Sequence, residues 1–358
     1  MRKEEILTPQ ELEAEARLRA DEERWIRENF PDIVGQHPNL LGALQMARMA
    51  AEDGECTVLL TGETGSGKEL VAQAIHENSC RRAAPYRTVN AASLPAELAD
   101  SLLFGHEKGS FTDAHAATRG ILREAHGGTV FLDEIQELDL RVQAKLLRFL
   151  QDHRVIPLGS VGEPWEVDVR IIAGSNENLL DAVAAGRFRR DLYYRLNVLP
   201  IEMPPLRERK EDILLLANHF LAQFNEAKGC DTALSPEAAA ALMAYDWPGN
   251  VRELRNLMER LVILCRNREI RAEDLPREIV SGAPELEERP LRTLREARAV
   301  VVAAFERDFI YRQWAAHGFH VTRTAEALGE SRQWLSKQLR KYGLTTSVGR
   351  RARPRLAP

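Results

Sequence analysis

Thr61-Gly62-Glu63-Thr64-Gly65-Ser66-Gly67-Lys68-Glu69 is the stretch on which the reading of this 358-residue chain turns. It follows the short apolar run Val58-Leu59-Leu60, which reads as a buried strand. It precedes Leu70-Val71-Ala72-Gln73-Ala74-Ile75, whose apolar spacing suits a helix. Strand, glycine-rich turn and helix together are the context of a P-loop. Gly62, Gly65 and Gly67 let the backbone wrap a polyphosphate, with amide hydrogens pointing inward at the positive end of the helix. Lys68 adds a fixed positive charge for the outer phosphates. Glu69 stands where a Ser or Thr hydroxyl usually meets a magnesium ion. A carboxylate there either takes that role or leaves the metal to other groups.

A second stretch answers the first. Gly127-Gly128-Thr129-Val130-Phe131-Leu132-Asp133-Glu134 is an apolar strand that ends in two adjacent carboxylates. Asp133 suits a magnesium shell, where an anionic oxygen matches a hard cation. Glu134 suits a base or orienter for the water that attacks a γ-phosphate. Alone, a strand ending in Asp-Glu is commonplace; downstream of a P-loop it reads as a Walker B motif. Further short β-rich runs are Tyr86–Asn90, Val169–Ala173 and Val198–Ile201, separated by stretches long enough for helical crossovers. The fold class is therefore α/β: a P-loop NTPase with a parallel sheet covered by helices on both faces. Ligands of such sheets bind beyond the carboxyl ends of the strands, so residues ending those strands are the candidates for chemistry.

Composition narrows the rest. Cys56, Cys80, Cys230 and Cys265 form no CxxC pair, which speaks against zinc and a disulfide framework and fits a reducing cytoplasm. No run of about 18 apolar residues exists, and Met1-Arg2-Lys3-Glu4-Glu5 lacks a signal-peptide core, so a soluble protein with no membrane partner is expected. Net charge is −5, unevenly spread: from Leu291 onward there is a surplus of nine positive charges, which leaves −14 on the remainder. A basic terminal module that meets double-stranded DNA, attached to an acidic body, is the reading.

Leu103-Phe104-Gly105-His106-Glu107-Lys108-Gly109-Ser110-Phe111-Thr112-Asp113-Ala114 resembles the surface-loop signature of the AAA+ activators of sigma-54 RNA polymerase. That family usually reads Gly-Ala-Phe-Thr-Gly-Ala over the last six positions. Its other marks are Gly62–Glu69, Phe188–Asn197, Pro204-Pro205-Leu206-Arg207-Glu208-Arg209 and Trp247-Pro248-Gly249-Asn250-Val251-Arg252-Glu253-Leu254. The likeness covers about residues 32 to 344. Glu69 ceases to be odd, because the family typically carries Glu there.

The resemblance implies roles residue by residue. Gly62, Glu63, Thr64, Gly65, Ser66, Gly67, Lys68 and Glu69 bind ATP; Asp133 and Glu134 serve magnesium and hydrolysis. Asn90 is similar to the switch asparagine that pairs with the catalytic glutamate. Asn176, in Ala173-Gly174-Ser175-Asn176, matches a first sensor that more often reads Ala-Ala-Thr-Asn. Arg189 and Arg195 resemble the arginines that reach a neighbouring subunit's ATP, and Arg252 matches the second sensor on a helical lid. Charge on a transferring phosphoryl group calls for a cation that arrives only when the site is assembled. The family's ring, a hexamer by resemblance, supplies that assembly.

Domain limits follow. Residues 1–31 form a charged arm, read as a solvated helix or partly ordered lead; residues 32–203 are the α/β subdomain and 204–280 the helical lid. Lid helices start at Glu211 and at Pro236, the latter capped by Ser235, and another runs from Val251 to Leu264. Residues 281–290 are a linker. Within 291–344, Leu294, Ala297, Val301, Phe305 and Phe309 mark one face of a pairing helix. Val321–Gly329 and Ser331–Arg340 look like a Fis-type helix-turn-helix. There Ala325 and Ala327 allow close packing, and Arg332, Gln333, Ser336, Lys337 and Arg340 project toward DNA. Residues 345–358 are a basic tail.

Two departures qualify the likeness. In the loop Gly109-Ser110-Phe111-Thr112-Asp113-Ala114, Ser110 replaces alanine and Asp113 replaces glycine, while Phe111 and Thr112, which touch sigma-54 in the family, are kept. No receiver-like or ligand-binding stretch precedes residue 32, so control by a separate protein or by expression level is expected. The function expected is ATP-driven opening of sigma-54 promoters. The rivals are a repressor-like regulator that has lost sigma-54, supported by Asp113, and a plain P-loop kinase, against which the arginines and the basic terminus speak.

Overall fold

The computed structural model describes residues 21, 24–93, 96–110, 117–160, 162–281, 310, 313 and 321–341. It divides into two compact units at Pro284 and Glu285, each taken by itself below. The tip Phe111–Ala114, the linker, the pairing stripe Leu294–Phe309, the basic tail and the Arg340 side chain lie outside the described residues.

In the larger unit, α1 (Pro38–Asp53) leads into β1 (Val58–Thr61), α2 (Lys68–Glu77) and β2 (Tyr86–Asn90). Then come α3 (Ala96–Phe104), α4 (Ile121–Glu124), β3 (Thr129–Asp133), α5 (Leu140–Asp152) and a small hairpin, β4 (Arg154–Val155) and β5 (Trp165–Glu166). The body closes with β6 (Arg170–Ser175), α6 (Leu179–Ala184), α7 (Arg190–Leu196) and β7 (Leu199–Glu202). All five strands expected from sequence form one parallel sheet, in the order β2-β3-β6-β1-β7. The central strands alternate their side chains between two cores. Leu59, Val130, Leu132 and Ile171 face α3, α5 and α7, whereas Val58, Leu60, Phe131 and Ile172 face α1 and α2. Covered on both faces, the central strands β3, β6 and β1 have no solvent side, which is why they read as apolar runs, whereas the edge strands β2 and β7 keep exposed residues.

The arm's end departs from the expectation of a solvated lead. Residues 24–29 are helical, and Ile26 and Phe30 are buried against α1 and α2. Trp25 packs edge-on to Phe30, and Asn78 Nδ2 donates to Asn29 O at 2.9 Å. The cause is the i, i+4 pair Ile26 and Phe30, an apolar stripe hidden within a charged stretch.

The lid comprises α8 (Lys210–Lys228), β8 (Ala233–Leu234), α9 (Pro236–Ala244), α10 (Asn250–Leu264), β9 (Glu269–Ile270) and α11 (Arg277–Ser281). Ser235 caps α9 as expected, accepting from Ala238 N at 3.2 Å. The lid has its own core around fully buried Trp247, whose Nε1 donates to Leu242 O at 2.9 Å.

In the smaller unit, α12 (Val321–Ala327) and α13 (Arg332–Lys341) pack around Ile310, Ala325, Leu335 and Leu339. Gly329, at φ 69°, turns the chain between them, and Ser331 Oγ accepts from Trp334 N at 3.1 Å. One sequence expectation is corrected: Ala327 is exposed, and the second small buried side chain is that of Thr324. Arg332, Gln333 and Lys337 are exposed, and Ser336 is half-buried.

Candidate active site

The carboxyl ends of β1, β2 and β3 open onto one cavity of about 480 Å³, roofed by the lid. Its walls bring together Thr64 to Glu69 of the loop, Asn90, Asp133, Glu134 and, from the lid, Arg252. Sequence reasoning missed the far end, where Ile33 and Val34 meet Leu216 and Phe220. Those apolar side chains suit a flat aromatic base, as the loop suits phosphates. The signal was present: Ile33-Val34-Gly35 is an apolar step immediately ahead of the first core helix.

Lys68 is buried at 6% exposure, and its Nζ donates to Gly62 O at 2.7 Å and Glu63 O at 3.2 Å. Burial pushes its ammonium below the ordinary lysine range, against the pull of Asp133 and Glu134. An ammonium so placed gains from any polyanion seated in the loop. Gly65, at φ 77°, lies against Gly249 O and the Arg252 β-carbon, so a side chain there would drive the lid away.

Asp133 Oδ1 and Ser66 Oγ are buried with no hydrogen-bond partner. Gly174 makes room for Asp133, since a β-carbon there would stand 2.7 Å from that same Oδ1. An orphaned carboxylate oxygen beside a phosphate loop fits a magnesium ion. Among the described residues no three His, Cys, Asp or Glu converge, so such an ion would need its remaining ligands from phosphate oxygens and water.

Glu134 adopts φ 53°, a left-handed conformation unfavourable for a residue with a long side chain. Its carboxylate accepts from Gln136 Nε2 at 2.6 Å. Asn90, the expected switch residue, lines the same cavity. Asn176 stands outside the cavity lining. Its Nδ2 donates to Thr64 Oγ1 at 3.1 Å, and its Oδ1 accepts from Gln136 Nε2 at 2.8 Å.

Glu63, expected among the ATP-binding residues, faces the lid instead. Arg207 grips it through two bonds of 2.6 and 2.7 Å and holds its carboxyl below the usual range. Asn250 Nδ2 donates to Glu63 Oε2 and Thr64 O, both at 3.1 Å, and Val251 N donates to Gly65 O at 3.0 Å. Arg209, also unforeseen, is a buried cavity-wall guanidinium whose Nη2 donates to Ser66 O at 3.2 Å.

Arg189 and Arg195 do not line this cavity. Arg189 pairs with Asp191 at 2.7 Å, and Arg195 donates from Nε and Nη2 to Leu150 O at 3.1 and 2.7 Å; both are exposed. Of the surface loop, Gly109 and Ser110 are described: Gly109 has φ 83°, and Ser110 packs on Gly159. The loop's base is tied to the β4–β5 hairpin segment through Glu107 N donating to Leu158 O at 2.9 Å.

Comparison with known proteins agrees with this geometry. Residues 33–202 match the sigma-54 interaction domain, and residues 207–291 match an AAA+ ATPase lid domain. The chain is 43% identical over 323 residues to the nitrogen fixation protein AnfA of Azotobacter vinelandii, covering 89% of this chain and 59% of AnfA. It is 40% identical over 340 residues to the transcriptional activator RocR of Bacillus subtilis, covering 89% of this chain and 72% of RocR. The crystal structure of NtrX from Brucella abortus in complex with ATP superimposes with a TM-score of 0.66 at 36% identity, over 93% of this chain and 74% of NtrX. The chain thus spans well under two thirds of AnfA's length and somewhat more of RocR's and NtrX's. A parallel sheet with a P-loop and paired carboxylates, a helical lid carrying Arg252 and this degree of identity place the chain in the family of sigma-54-dependent transcriptional activators built on an AAA+ domain.

Proposed function

We propose that this chain hydrolyses ATP between subunits of a ring and uses that cycle to remodel sigma-54 RNA polymerase at promoters located by its helix-turn-helix. The observation that carries the reading is the division of the cationic groups. Lys68 and Arg252 stand in the protomer's own cavity, whereas Arg189 and Arg195 are exposed outside it. A site lacking part of its positive charge until a neighbour arrives is one whose turnover depends on assembly.

Within a protomer, Lys68 and the loop amides hold the β- and γ-phosphates, and Asp133 would hold the magnesium ion that neutralises charge on them. Glu134 orients the attacking water and takes its proton; water adds to the γ-phosphorus as the bond to the ADP oxygen breaks, giving ADP and phosphate. Asn176 reads the loop through Thr64, and Arg252 couples the lid to the phosphates. The ATP complex of NtrX and the match to the sigma-54 interaction domain support nucleotide and polymerase as partners. Exposed Arg332, Gln333 and Lys337 suit bases and phosphates of a DNA major groove. Phe111 and Thr112 would then press on sigma-54.

The test is ATPase rate per subunit against protein concentration, for the wild type and Arg195→Ala, with open-complex formation on a sigma-54 promoter followed in parallel. The expected rate climbs with concentration and collapses in the variant. A rate unchanged on dilution ends the assembled-site reading, and DNA binding without promoter opening ends the sigma-54 reading.

A further inference from the structure

Gln136 has no place in the family resemblance, yet it stands at the centre of a connected polar group beside the cavity. It lies in a single 3₁₀ turn, Ile135–Glu137, immediately after Glu134, and is 5% exposed. Its Nε2 donates one hydrogen to Glu134 Oε2 at 2.6 Å and the other to Asn176 Oδ1 at 2.8 Å. Its Oε1 accepts from Ser175 Oγ at 3.0 Å. Both amide hydrogens are thereby used, which fixes the plane of the amide, while the single Ser175 hydroxyl hydrogen is shared between Gln136 Oε1 and Glu177 O at 2.8 Å. Asn176 passes the connection on, donating to Thr64 Oγ1 at 3.1 Å in the phosphate loop.

We propose that Gln136 is a positioning residue for the hydrolytic reaction: it aims the Glu134 carboxylate and ties that aim to the phosphate loop through Asn176 and Thr64. The inference rests on the reading of Glu134 as the water-orienting group. Three features carry it. The Glu134 backbone sits in an unfavourable conformation that something must hold. The bond to its carboxylate is short and charge-assisted. The groups on Gln136's other hydrogen bonds are a cavity-flanking asparagine and the end of β6, not bulk core. A displacement of the loop by a nucleotide would thus reach Glu134 through three side chains, Thr64, Asn176 and Gln136, in direct contact.

The test uses the full chain at a protein concentration where rate per subunit has levelled off. Variants are Gln136→Met, which keeps volume and removes both donors, and Gln136→Glu, which keeps shape and sets a second carboxylate beside Glu134. Glu134→Gln and the Glu134→Gln/Gln136→Met double variant complete the set. Gln136→Met should lower kcat about 10–100-fold, the scale of a misaimed catalytic group, with KM for ATP and the affinity for methylanthraniloyl-ADP within about twofold of wild type. Gln136→Glu should lose at least as much kcat. The double variant should be no slower than Glu134→Gln alone, because Gln136 acts through that carboxylate. A Gln136→Met enzyme with wild-type kcat overturns the proposal while leaving the hydrolytic reading intact. So does a loss that recurs undiminished in the Glu134→Gln background, or one accompanied by lost ADP binding in both Gln136 variants. Wild-type turnover by Glu134→Gln removes the hydrolytic role of Glu134 and the proposal with it.

Discussion

Asn250→Ala is the substitution that probes the junction of lid and phosphate loop most sharply. The Asn250 side chain is fully buried and its backbone lies at φ 52°. Its Oδ1 accepts from the buried Leu206 N at 2.7 Å, and its Nδ2 donates to Thr64 O and Glu63 Oε2. Alanine leaves the Leu206 N–H buried without an acceptor, which costs about 1–3 kcal/mol. It also adopts the left-handed backbone less readily than asparagine, by about 1 kcal/mol. The expected destabilisation is therefore about 2–4 kcal/mol, a large share of a domain's margin. Asn250→Gly separates the two causes, because it loses the same bonds but relaxes the backbone; it should be about 1 kcal/mol less damaging than alanine. Urea unfolding followed by Trp fluorescence, compared at constant slope, measures both. An alanine variant within about 0.5 kcal/mol of wild type, well inside ordinary surface effects, would refute the reasoning. A glycine variant as costly as alanine would leave the hydrogen bonds and remove the backbone argument.

Phe30→Ala should cost about 3–5 kcal/mol in the same unfolding assay, as for a buried aromatic, where a solvated arm would register nothing. Asp274 is held below the usual carboxylate range by Arg268, with a further bond from Arg271 N–H. A depressed carboxyl contributes stability that is complete above about pH 4 and drains as pH falls toward its folded value. Asp274→Asn should accordingly flatten the fall in melting temperature below about pH 4, and an unchanged slope would show the pair to be idle. Excess EDTA should stop ATP hydrolysis and added magnesium restore it; full turnover in EDTA would remove the metal role assigned to Asp133.

The fold was legible because its main signals are local. The three central strands are buried on both sides, so Val58–Thr61, Thr129–Asp133 and Arg170–Ser175 carry short apolar runs flanked by glycine or charged residues. The two-residue strands at Arg154 and Trp165 carry no such run, and the segment joining them bonds through Leu158 to the Gly105 and Glu107 backbone, which only tertiary structure brings close. The site divided in the same way. Lys68, Asp133 and Glu134 were readable because the chemistry demands those types at strand ends. Gln136, Arg209 and Asn250 were not, because a buried amide or guanidinium leaves no periodic trace and declares itself only through partners far along the chain. Glu63 misled because a motif names a loop's residues together while the fold turns each one separately, this one toward Arg207.

That turn has a mechanical consequence. Arg207 to Glu63, Asn250 to Thr64 O and Val251 N to Gly65 O fasten the lid to successive residues of the phosphate loop. Bonds to three consecutive residues leave little room for the lid to tilt without carrying the loop along. On the opposite side the same loop holds the sheet's reactive end by one side-chain contact, Thr64 to Asn176. On that side Gly62 N also donates to Ser175 O at 3.2 Å, so Thr64 is the side-chain link between loop and sheet beside a backbone one. Thr64 Oγ1 accepts from Asn176 Nδ2, which leaves its hydroxyl hydrogen for a phosphate oxygen at the loop, where the hydrogen-bonded path to Glu134 begins. Lid position and aim of the carboxylate are thus set by one short loop.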